Sequence, residues 1–157
     1  MATWAEFAEA APEMAALASQ LLSNATNQIA YLGTARKDGA PRVHPVCPVI
    51  AGDHIYLAIG PQSPKLDDLR RDGRYMLHAM PGTEDAEFNI RGRATEANDA
   101  GTHAAVEQAA SAVGLNVKPH EVLFRLDIKQ AATTYWENVG QPDTRPVRRR
   151  WLAPSSD

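Results

Sequence analysis

The sequence predicts a mainly β fold: about six mostly antiparallel strands, with helices inserted at fixed points, closed into a full or split barrel. Three observations carry this expectation. From Gln28 onward the apolar residues follow the rhythm of strands rather than of helices. Turn signals such as Asp38-Gly39, Gly52-Asp53 and Pro81-Gly82 separate the apolar runs. The helical segments do not alternate regularly with the strands, which disfavours a doubly wound parallel sheet. With no internal repeat or linker, one domain is expected over 1–157, with a helical segment at 1–24 and a tail at 140–157.

Each element has a local reason. Thr3 followed by Glu6 is a capping-box pattern that opens a short helix. Pro12 cannot sit inside a helix, so a second one should begin there, with Met14, Leu17, Leu21 and Leu22 as its stripe. That stripe, like Trp4 and Phe7 before it, reads as core or subunit contact. Strands are expected over 29–35, 42–51, His54–Ile59, 74–80, 86–96 and 121–135, the first two joined through Lys37-Asp38-Gly39-Ala40. Pro45 and Pro48 make the second strand an edge, or kink it. A short helix should cover Pro64–Arg71 and end at Gly73. Asn98 is the expected cap of a helix over 99–113. The tail after Gly140 reads as loop or a final edge segment.

Composition excludes several functions. The chain is 44% apolar and 22% charged, as ordinary globular proteins are. A net charge of −3, with its cations dispersed, gives no bulk attraction to nucleic acid or membrane. No stretch approaches the ~20 apolar residues that cross a bilayer. Cys47 is the only cysteine, which excludes an internal disulfide and any zinc site built on several thiolates. Glu6 and Glu9 stand where a signal peptide would carry bases, so a cytoplasmic location is expected.

One segment carries a site signal. In Ser63-Pro64-Lys65, Ser63 suits a helix N-cap and Pro64 the first helical position. The free N–H groups of that turn carry partial positive charge, and Lys65 adds a full one. Backbone donors, a hydroxyl and an ammonium can converge there on a phosphate. Arg70 and Arg71 add to the field if the helix faces that way. The same tripeptide also starts many helices that bind nothing.

The surrounding order of elements raises the phosphate-binding alternative. Gly33-Thr34-Ala35-Arg36-Lys37-Asp38-Gly39-Ala40-Pro41, the valine- and proline-rich strand, His54-Ile55-Tyr56-Leu57, the Ser63 cap, Arg74-Tyr75-Met76-Leu77 and Gly92-Arg93-Ala94 follow one another. Over 33–96 this resembles the pyridoxamine 5'-phosphate oxidase-like family, the flavin/deazaflavin split barrels. The resemblance implies a six-stranded antiparallel split barrel of the FMN-binding type. It further implies a homodimer with FMN, or the deazaflavin coenzyme F-420, in the groove between subunits.

Carried onto this chain, the resemblance assigns Ser63 and Lys65 to the flavin phosphate, with Pro64 in place of an arginine ligand. Val43, His44, Pro45, Val46 and Cys47 match the strand passing along the isoalloxazine ring. Ala58 and Ile59 match a tyrosine–threonine pair, so two hydroxyls are lost. Glu87 falls where a glutamine approaches the ring, and a carboxylate there donates no hydrogen bond unless protonated; a solvated strand residue is its other reading. Trp136 matches a tryptophan near the cofactor, or packs in core or interface. Trp151-Leu152-Ala153-Pro154 stands for an arginine-leucine-x-proline end, so true pyridoxamine-phosphate oxidation is disfavoured.

The expected function is therefore hydride transfer by a flavin- or deazaflavin-dependent oxidoreductase acting on a small organic substrate, with no catalytic side chain assigned. A non-catalytic flavin carrier is the alternative, and a degenerate barrel that binds no flavin is a third. His44, His54, His78, His103 and His120 lie on different elements. His103 and Glu107 share a helix face but lack a third metal ligand. A heme role, known among distant split-barrel relatives, would need an axial histidine facing the groove. Cys47 reads as a buried small residue, and Arg148-Arg149-Arg150 as a solvated or salt-bridged strand end.

Overall fold

The computed structural model describes residues 1–23 and 28–155; Asn24, Ser156 and Asp157, at the limits of the expected end segments, lie outside the described residues. Two helices come first, α1 (Trp4–Ala10) and α2 (Pro12–Leu22). The capping box is present: the Glu6 N–H donates to the Thr3 hydroxyl at 3.1 Å, and the Thr3 N–H donates to the Glu6 carboxylate at 2.7 Å. Pro12 opens α2 as expected. Phe7 is fully buried, with ring centroids 6.2 Å from Phe88 and 5.2 Å from Trp151, so this end is a core lid.

The strands are β1 (Ala30–Ala35), β2 (Pro41–Val46), β3 (Pro48–Ala51), β4 (His54–Ile59), β5 (Arg74–Ala79), β6 (Glu87–Glu96), β7 (Val122–Glu137) and β8 (Arg145–Leu152). All their pairings are antiparallel, in the order β2-β1-β5-β6-β7-β4-β3, with β8 beside the C-terminal half of β7. The two ends of that order, β2 and β3, are one stretch bent at Cys47. Pro45 and Pro48, which cannot donate to a ladder, flank the bend. The bend lets β2 pair with β1 while β3 pairs with β4, and the sheet closes on itself. Counted so, the barrel has the expected six strands; β8 is an addition.

Two further helices, α3 (Pro64–Arg71) and α4 (Ala100–Ala112), sit on this frame. Asp99, not Asn98, caps α4: the Thr102 N–H donates to its carboxylate at 2.9 Å. Asn98 is used across the sheet instead, accepting from the Leu123 N–H at 2.8 Å. The main core fills the barrel with Leu32, Leu57, Leu77, Phe88, Ile90 and Leu126 among others. A smaller cluster, with Val106 and Ala110 of α4, covers the outer side of β3, β4 and the start of β7. No described helix is long and apolar enough to cross a membrane.

The opposite outer face has no such cover among the described residues. Across it the register lines up Val43, Gly33, Met76, Arg91, Gln130 and Leu152 in one row, and Pro45, Tyr31, His78, Asn89, Ala132 and Arg150 in the next. Val43 is 63% exposed, Tyr31 44% and Met76 41%. Isolated exposed apolar residues are ordinary, but a contiguous apolar patch marks a contact surface.

Candidate functional site

The start of α3 is held by backbone rather than by its cap side chain. The Ser63 N–H donates to the Gly60 carbonyl at 3.0 Å, and the Leu66 N–H donates to the Ser63 carbonyl at 2.9 Å. Ser63 is the N-cap with Pro64 following it, but its hydroxyl makes no capping bond, contrary to its usual use. The hydroxyl is left for another partner. Lys65, half-buried in the same turn, has no carboxylate partner among the described residues. Burial pushes its ammonium below the usual lysine range, since a desolvated charge is disfavoured.

His44 shares this environment. It lies on the inward face of β2, between Arg42 and Val46, opposite Leu32. Burial, then the positive charges of Lys65 and Arg42, hold its imidazole below the usual histidine range against the opposing pull of Asp68. Its Nε2 is buried with no hydrogen-bond partner among the described residues. An unpartnered buried nitrogen and an unpaired half-buried ammonium thus sit close enough to feel each other.

Asp68 anchors this region. It is 3% exposed and bonded from three directions. The Thr34 hydroxyl donates at 3.0 Å, the Arg42 Nε at 2.7 Å and the Arg71 guanidinium at 3.2 Å. Arg71 also donates to the Ala35 carbonyl. This ties α3 to β1 and β2 and fixes the Lys65 turn beside His44 of β2. Arg70 is likewise committed, to Glu96 at 2.5 Å. Neither helix arginine is therefore left to strengthen the field around Lys65.

The remaining expected residues divide by face. Val43, Pro45 and Cys47 are exposed; Cys47 is not a buried core residue, because alternation at the bend turns Val46 and Pro48 inward and Cys47 out. Val46 belongs to the core. Ala58 is half-buried, whereas Ile59 is 1% exposed in the core, so only its backbone can face a ligand. Glu87 and Trp136 are neighbours on the uncovered outer face, since Glu87 pairs with Thr134, two residues before Trp136. They lie three and four strands from β2, roughly 14 and 19 Å at normal strand spacing. One copy of the chain therefore does not bring them to the Lys65 end of β2.

A model of the family described as pyridoxamine 5'-phosphate oxidase matches residues 14–135. The chain belongs to the pyridoxamine 5'-phosphate oxidase family. Solved structures share the split-barrel fold. A heme binding protein from Mycobacterium smegmatis is 18% identical, with a TM-score of 0.60 over 85% of this chain and 57% of that one. This chain thus spans a little over half the length of that relative. A nimC/nimA family protein from Clostridium acetobutylicum is 12% identical, with a TM-score of 0.61 over 87% and 92% of the two chains. A general stress protein 26-related protein of the pyridoxinephosphate oxidase family, also from Clostridium acetobutylicum, is 10% identical, with a TM-score of 0.60 over 87% and 94%. Among curated proteins no match is found.

Within this family member, sequence reasoning missed Tyr31, Met76 and His78 on the outer face. Strand alternation around buried Leu32 and Leu77 would have turned all three outward. His78 carries a further detail: its Nδ1 lies 2.7 Å from the Ala79 carbonyl oxygen. A carbonyl only accepts, so Nδ1 carries a proton and donates it there, which leaves Nε2 as the nitrogen facing away from the Ala79 carbonyl.

Proposed function

We propose that the protein binds a flavin or deazaflavin and acts as an oxidoreductase on a small organic substrate. The observation that carries this reading is Lys65, a half-buried ammonium with no carboxylate partner among the described residues, beside an uncapping Ser63 hydroxyl at a helix start. A phosphate would satisfy both, and the nearby His44 Nε2 offers a third polar atom. The donor set is leaner than a full phosphate cradle, since Pro64, Ala58 and Ile59 contribute no polar side-chain group. It still fits one phosphate, and the family commonly binds flavin.

In this reading Ser63 and Lys65 hold the phosphate, and the exposed edge formed by Val43, Pro45 and Cys47 lies along the ring. Glu87 and Trp136 reach the same ring only from a second copy. The exposed row of Val43, Tyr31 and Met76 supports such a homodimer, because association would bury it. When bound, the cofactor supplies a hydride acceptor and donor; the chain supplies position, a phosphate grip and exclusion of water. FMN is favoured over F-420 by the Ser63–Lys65 element.

Absorbance of the purified protein, then titration with FMN and with F-420, tests the proposal. Saturable binding of one of them, followed by turnover with a reductant and a substrate panel, is expected. Binding without turnover would instead make the protein a carrier, and binding of neither would reject both readings.

His78 favours a second reading, heme binding. An outward imidazole whose Nδ1–H is fixed by a carbonyl, with Nε2 facing away from it, is the arrangement of a metal-ligating histidine. Tyr31 and Met76 supply flanking apolar surface. Addition of hemin would then give a Soret band that His78→Ala shifts or abolishes.

A further inference from the structure

At the β-bulge where β6 meets β7, a hollow of about 560 Å³ is lined by Arg74, Tyr75, Arg91, Arg93, Lys129 and the tail residues 153–155, with Met1 at its rim. Its volume is in the range of small-molecule sites. Arg74 is neutralised by Asp72, through bonds of 2.6 and 2.7 Å that hold the Asp72 carboxyl down at about 2. The other three cations have no carboxylate partner among the described residues. Arg91 donates to the Gln130 side-chain carbonyl at 2.7 Å, and Arg93 to the Asp72 backbone carbonyl at 3.0 Å.

The register packs these charges together. Arg93 is directly opposite Arg74, and Arg91 is two residues along the same face. Like charges placed so are mutually unfavourable. Lys129 is the extra residue of the bulge, and bulges re-aim side chains. Only glycine permits this bulge: a Cβ on Gly92 would stand 1.8 Å from the Asp127 carbonyl oxygen. The tail then forms a wall, with the Ala153 N–H donating to the Lys129 carbonyl at 3.0 Å. In a chain of net charge −3, a walled hollow with three cations that have no carboxylate partner among the described residues is matched to an anion.

We propose that this hollow binds a small organic polyanion, one carrying phosphate or carboxylate groups with at least two negative charges. The inference is independent of the cofactor reading, which places its phosphate at Lys65. Calorimetric titration of the full chain in low salt with pyrophosphate, and separately with citrate, distinguishes the two ligand sources. Saturable binding of at least one is expected, weakening as NaCl is raised because the cations are exposed.

The Arg93→Gln/Lys129→Gln double variant should lose affinity about tenfold or more, the scale of charge-assisted hydrogen bonds. Arg91→Gln serves as the second variant should the first fail to fold. Lys65→Ala, which removes the separate phosphate grip, should keep the binding event that the hollow variants weaken. No saturable binding at millimolar ligand, unchanged affinity in the hollow variants, or disappearance of that same binding event in Lys65→Ala would each overturn the proposal.

Discussion

The Thr34 hydroxyl on β1 donates to the Asp68 carboxylate on α3 at 3.0 Å, and both residues are buried. Burial alone would push this carboxyl up; the bonds from Thr34, Arg42 and Arg71 outweigh it and hold it below the ordinary carboxylate range. A depressed folded pKa stabilises the fold above the unfolded value and loses that stabilisation as pH falls through the folded one. Asp68 therefore strengthens the protein at neutral pH and contributes to acid unfolding below about pH 4. Asp68→Asn should cost about 1–3 kcal/mol at pH 7, moderated because both guanidiniums keep solvent contact, and should flatten the acid slope. Urea unfolding across pH checks both.

His44 reports on Lys65. Because the lysine's charge contributes to the low pKa of the imidazole, Lys65→Met should raise it. An anion bound at Lys65 should raise it too. Proton NMR titration of the imidazole resonances reads either change, and a His44 pKa indifferent to both would separate the two residues.

Gly92→Ala should destabilise the fold by about 2–4 kcal/mol, because the added Cβ meets backbone that cannot step aside. Thermal unfolding measures this. The same substitution at Gly39, whose turn has open space around it, meets only the strain of a φ of +84° and should cost less.

Met76→Glu, on the uncovered outer face, should leave the monomer folded but weaken self-association. Sedimentation of wild type and variant tests this: the wild type is expected to be a dimer, and an unchanged oligomer in the variant would remove this face from the interface.

Most of the barrel was legible because its signals are local. Proline placement pointed to an edge or a kink in the second strand, Asp38-Gly39 announced the first hairpin, and Pro64 with Gly73 bounded α3. Elements decided by tertiary contact were not legible. Asn98 resembles a cap, yet its amide is drawn to Leu123 and Asp99 takes the role. The Asp68 anchor joins residues 26 and 34 positions apart, a distance that spacing rules do not reach. The bulge at Gly92 depends on the partner strand as much as on its own sequence. At the site, the tripeptide pointed to the half-buried lysine turn, but which face of each strand turned outward needed the register.

The account rests on a phosphate being gripped at Ser63 and Lys65, and comparing FMN with riboflavin, which lacks the phosphate, isolates that grip. Calorimetry on the wild type should show FMN binding more tightly by about 1–3 kcal/mol. Lys65→Ala should remove most of that difference while leaving riboflavin affinity unchanged. Equal affinity for FMN and riboflavin in the wild type would contradict the account.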